Sequence, residues 1–223
     1  ARDLLARLPV LLGAEVRVIT APCVGRCEQA PVAVVGHNAL PLASAANVAA
    51  LTSEQVGALS AAQIKSMSTA QIAAIETGDI AQLGSAQIAA LSSAQLQALS
   101  SEQLNALTTD QLQTMGPRQV GTLTTAQLNS LSTEHIKALT SAQVKALTTD
   151  QLANLATTQI EALDTEDVAA MSANQVKALS AASVAALTSE QVGALTAAHL
   201  KSMSAEQIAA IETEDIAQLG AAQ

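Results

Sequence analysis

From Ala43 to Gln218 the apolar residues return on a fixed period of eight. Position 1 of each octad is Leu, Met or Ile, with Ala43 the one exception, and position 6 is Val, Ile or Leu in all 22 octads. The polar residues follow the same period. Position 2 is Ser or Thr in 16 octads and position 5 is Gln in 15, giving the phrase L-[ST]-x-x-Q-[VIL]-x-small. A continuous α-helix would let this stripe drift by roughly 80° per octad, because each residue turns the helix by about 100°. A strand fits no better, since Val56 and Leu59 would fall on opposite faces under a period of two. The pattern therefore predicts a short helix that restarts every eight residues.

The octad "LTSEQVGA" at 51–58 supplies each device that such a restart needs. Thr52 at the N-cap can accept from the backbone N–H of Gln55, and the Gln55 side chain can return to the cap, which is a capping box. Leu51 before the cap and Val56 at the fourth helical position form the two ends of a hydrophobic staple. In "MGPRQVGT" the same frame puts Pro117 at the first helical position, where a missing N–H costs least. Glu54, Glu102, Asp110 and Glu190 fall at the second, where the positive helix end favours an acid. Helices this short are marginal alone. The expected fold is therefore mainly α, a solenoid with a narrow aliphatic core and small residues such as Ala58, Ala74 and Ala90 at position 8 for close packing of coils.

A longer repetition overlies the octads. Residues 53–84, "SEQVGALSAAQIKSMSTAQIAAIETGDIAQLG", return with few changes at 189–220, an offset of 17 octads. This suggests block duplication, and the chain is expected to be a slice of a longer array.

Composition narrows the function. There is no Phe, Trp or Tyr, so the core must be built from Leu, Ile, Val, Met and Ala. The net charge of −9 divides as +1 over residues 1–42 and −10 over 43–223. An acidic surface without aromatic residues argues against nucleic acid and against anionic lipid. No apolar run reaches the ~18 residues of a membrane-spanning helix. "LLARLPVLLGA" near the start reads as the end of an amphipathic helix.

Residues 1–42 lack the period and are expected to form a separate small α/β segment, with a helix in "ARDLLARLPVLLG" and strands in "EVRVIT" and "PVAVVG". The stretch "CVGRCEQAPVAVVG", Cys23–Gly36, resembles the second half of the thioredoxin-like [2Fe–2S] domain of NADH dehydrogenase and NAD-dependent formate dehydrogenase subunits. The resemblance implies that Cys23 and Cys27 are two of four cluster ligands and that "HNALPLASAANVAA" continues toward that domain's last helix. It also implies an alternative function, a fragment of an electron-transfer subunit. These are the only cysteines, so a cluster would need two further ligands from another chain or from an upstream segment. Without them no cofactor is expected.

Residues 43–223 resemble octapeptide arrays of long bacterial surface or secreted repeat proteins, of the adhesin-like and RTX-like kind. That resemblance implies a non-enzymatic spacer, scaffold or surface-interaction module, outside the cell or on its surface. The expected partner is a protein or a cell surface, with self-association through the solenoid ends as a further expectation. A cytoplasmic protein-binding scaffold is the other reading of the same array.

Within the array, His135 and His199 stand in place of Gln at position 5 and are expected to act as capping substitutes rather than as metal ligands, with His37 near the segment boundary. Asp79, Asp167 and Asp215 also replace Gln. With Glu76, Asp164, Glu166, Glu212 and Glu214 they form acidic clusters, expected to be solvated helix N-termini rather than calcium sites. No Ser–His–Asp arrangement stands out from the caps, so no catalytic residue is assigned.

Overall fold

A computed structural model of the chain describes residues 32–35, 38–41 and 44–220. Residues 31–223 form the larger of two compact units. Within the larger unit, twenty-two helices run from Ala45–Ala49 to Thr213–Ile216, one to each octad. They are four to six residues long.

The helices start as the sequence predicts. Each Ser or Thr at position 2 lies in the extended region and its hydroxyl accepts from the backbone N–H three residues on, as at Thr108 to Gln111, Thr148 to Gln151 and Ser172 to Gln175. None of them stops on a glycine in the left-handed region. In the octads with six-residue helices the chain passes through two extended residues, such as Leu91 at φ −62°, ψ 130° and Ser92 at φ −77°, ψ 161°. Any L-residue adopts those angles, so the corner needs no special residue and the octad can be copied freely.

Each helix packs on the third helix before it and the third after it. Pro117–Gly121 lies on Ser141–Ala146, which lies on Thr165–Ala170, which lies on Ser189–Gly193. One turn of the solenoid is therefore three octads, or 24 residues. Positions 1 and 6 point inward and join one aliphatic core running from Val48 to Ile211. Position 6 is sealed almost completely along most of the array, with Val56, Leu104, Val144 and Ile160 all at 0% exposure, and opens at its last two octads, where Ile208 and Ile216 are 42% and 51% exposed. Ala74, Ala106, Ala162 and Ala210 at position 8 pack against this core, as their size predicts.

At Gly121, in position 7, two turns come close together. A Cβ on Gly121 would sit 2.5 Å from the Ala146 carbonyl oxygen, whereas a Cβ on Gly78 would meet nothing within 4 Å. Two alanine substitutions should thus have opposite signs by chemical denaturation. Gly121→Ala should destabilise by about 1–3 kcal/mol, the usual cost of overpacking. Gly78→Ala should stabilise by about 0.5–1 kcal/mol through the lost freedom of glycine in the unfolded chain. The whole array should give a strongly helical far-ultraviolet circular dichroism spectrum despite its short helices; a sheet spectrum would refute the fold.

Before the array, β1 (Val32–Val35) pairs antiparallel with β2 (Asn38–Pro41), with Val32 opposite Pro41 and Val35 opposite Asn38. β1 is the strand expected in "PVAVVG". β2 corrects the expectation of a segment leading straight into a closing helix: only two residues separate the strands, and an antiparallel pair needs no longer link. The described residues before Ser44 thus hold a two-stranded hairpin and no helix, so the expected α/β segment is not found among them. The helix expected in 1–13, the strand in "EVRVIT", His37, Cys23 and Cys27 all lie outside the described residues.

Candidate functional site

The most heavily used polar group in the array is the position 5 amide. In Gln143 the Oε1 atom accepts from the Thr140 backbone N–H at 2.9 Å, which completes the capping box. Its Nε2 atom donates to the carbonyls of Leu112 and Met115, at 2.8 and 2.9 Å. Those carbonyls lie 31 and 28 residues earlier, at the corner one turn below. Gln95, Gln127, Gln159, Gln191 and Gln207 repeat the arrangement, each donating to a position 6 and a position 1 carbonyl. Helix C-termini leave carbonyls without intrahelical donors. Each glutamine therefore caps its own helix and satisfies the end of another, and it does so while buried, at 1–5% exposure for Gln95, Gln143, Gln159 and Gln175. The capping half of this role was legible in S/T-x-x-Q; the bridging half was not.

His199 reproduces both halves, and His135 the bridging half, with its ring on the cap hydroxyl instead of the cap N–H. His135 sets Nδ1 against the Ser132 hydroxyl at 2.7 Å and Nε2 against the Leu107 carbonyl at 2.7 Å. His199 accepts at Nδ1 from the Thr196 N–H at 3.2 Å, and its Nε2 lies 2.8 Å from the Met171 carbonyl. This bears out the capping reading of His199; the His135 ring meets the cap hydroxyl, while the cap N–H goes to Asn105. A second, outer ladder had no signal in the pattern. Asn105 donates to the Ser130 carbonyl at 2.6 Å and accepts from the Ser132 N–H at 3.0 Å. Asn129 does the same with Asn154 and Ala156, and Gln97 and Gln113 reach the carbonyls of Thr122 and Ala138. These are position 7 amides in an octad whose position 7 is otherwise variable.

The acidic octads differ. As carboxylates, Asp79, Asp167 and Asp215 have no N–H to offer the carbonyls that Gln bridges. Each accepts instead from a serine hydroxyl 26 residues earlier, on Ser53, Ser141 and Ser189. Burial pushes the Asp167 carboxyl above its ordinary range, with the Ser141 hydrogen bond acting the other way and the charges of Asp164 and Glu166 adding to the rise. Exposed Glu102, at the second position of its helix, is held below the ordinary range by its backbone N–H and by Ser100. Among the described residues, no group of three or more His, Cys, Asp or Glu side chains is placed to hold a metal ion. The hollows on the surface are shallow. One of about 300 Å³ is lined by Glu161, Leu187, Thr188, Ser189, Glu212 and Asp215. Another of about 280 Å³ is lined by Lys137, Glu161, Asp164, Thr165, Glu190 and Gln191. No helix among the described residues is long and apolar enough to cross a membrane.

Capped helices at three to a turn, joined by buried amides, define an octapeptide α-solenoid. The ALTTAQ repeat is matched over residues 48–74, 72–109, 96–125, 106–141, 120–157 and 160–197, and "LTTAQL" at 123–128 carries its wording almost unchanged. The chain belongs to the ALTTAQ repeat family. The cysteine motif lies upstream of these matches. A search of curated proteins gave no match.

Proposed function

We propose that the array is a non-enzymatic structural element, a spacer or scaffold whose reach is set by the number of octads, working at a bacterial cell surface or outside the cell. One observation carries this reading: the polar side chains that recur from octad to octad, at positions 2 and 5, are consumed in starting helices and in fastening one turn to the next. The positions that vary, 3, 4 and 7, form the outside, where the proposed protein or cell-surface partner would make contact.

Two measurements test it. Deleting residues 123–146 removes one whole turn. Dyes placed on either side should then move closer by a fixed step in energy-transfer measurements, and a second 24-residue deletion should repeat the step. Loss of folding on removal of one turn would overturn the modular spacer. Antibody labelling of intact native cells tests location, with labelling only after lysis pointing to the intracellular scaffold instead.

A further inference from the structure

Asp167 interrupts the amide ladder in a way that its two counterparts do not. Its Oδ1 accepts from the Ser141 hydroxyl at 2.7 Å. Its Oδ2 is buried without a hydrogen-bond partner, the one side-chain atom in that state among the described residues, in a residue 3% exposed. In the flanking octads, Gln159 and Gln175 donate to the position 1 carbonyl 28 residues earlier, on Leu131 and Leu147. The equivalent acceptor for residue 167 is the Leu139 carbonyl. An ionised carboxylate has no donor to offer it, and a buried oxygen with no partner is costly. A neutral carboxylic acid has what the place requires, one acceptor for Ser141 and one donor for the corner below.

We propose that the neutral acid form of Asp167 completes the ladder, its Oδ2–H donating to the Leu139 carbonyl, and that ionisation breaks this link, which makes residues 163–170 a proton-operated joint in the solenoid. The charged side chains around it are Asp164 and Glu166 on its own octad, Lys145 on the helix below, Glu190 on the helix above, and Lys137 and Glu161 from the adjoining helices. All six are exposed, so solvent screens them, whereas Asp167 itself is buried. Because the folded-state group is shifted upward, the stability it supplies is complete below the unfolded aspartate value of 3.8 and is lost as pH rises through the folded value. Ionisation loosens this octad while the glutamine octads on either side keep their donors.

The test uses the whole chain, with carbon-13 in the aspartate carboxyls and the Asp167 resonance assigned through its own backbone. Its titration midpoint should lie above 3.8. Asp167→Asn keeps the acceptor and supplies a donor that does not titrate. It should match the parent in acid and exceed its Tm by about 2–4 °C at neutral pH. Asp167→Ala should lose stability at both. A midpoint at or below the ordinary aspartate value overturns the proposal, and so does an Asn variant no more stable than the parent at neutral pH.

Discussion

Val144→Asp should unfold the middle of the array, while Lys145→Ala, one residue away, should leave it intact. Val144 is 0% exposed at position 6, in the aliphatic seam that every turn shares. A carboxylate there has no donor and no water, so it must either be protonated or force its octad open. The cost belongs with the large values known for buried unpaired charge, about 3–5 kcal/mol or more. Solenoid stability is a sum of local terms and neighbour contacts. The loss should therefore spread to the octads packed on residues 139–146, and the octads nearer each end should persist. Circular dichroism should record a partial loss of helix and a thermal transition split in two. The Lys145 side chain is exposed and its backbone carbonyl, which accepts from Gln175 at 3.3 Å, survives the change to alanine. Equal effects from the two substitutions would mean that inside and outside have been exchanged.

Gln143→Leu should be the most damaging uncharged change of similar size. It keeps the volume and removes both ends of the bridge, leaving the Thr140 N–H and the carbonyls of Leu112 and Met115 without the amide. A buried group left without a partner costs about 1–3 kcal/mol, and the Leu112 carbonyl loses less because it keeps the Met115 N–H at 3.1 Å, so a total of about 3–5 kcal/mol is expected from urea unfolding. Gln143→Glu separates the two roles. Its carboxylate can still accept from the cap but turns an acceptor toward the two carbonyls below. It should be destabilising at neutral pH and partly recovered in acid, where the protonated form can donate. His135→Gln is the control: it exchanges one bridging side chain for another and should change stability by less than about 1 kcal/mol. A neutral Gln143→Leu would show that the amide caps its own helix and does nothing for the turn below.

Much of this architecture is written locally. Thr52, Gln55, Leu51 and Val56 are within five residues of one another, and their chemistry is complete within one octad. Cap, box, staple and inward face therefore follow from the wording alone, as does the substitution of His135 and His199 for Gln. The acidic octads were legible as helix starts. That Asp167 is buried was not, because the serine that covers it, Ser141, lies 26 residues away. The position 7 ladder was hidden for the same reason: Asn105 and Asn129 act on residues 25 and 27 positions later.

The sequence by itself determined that the chain restarts a helix every eight residues and which two positions face inward. The tertiary structure alone decided that three octads close a turn. A strict period of eight looks identical from within whether three, four or five octads make the circuit, so no local pattern can count them. The count emerges only when carbonyls left open at one corner meet the glutamine amides of the corner above, and that meeting takes place across 28 and 31 residues of chain.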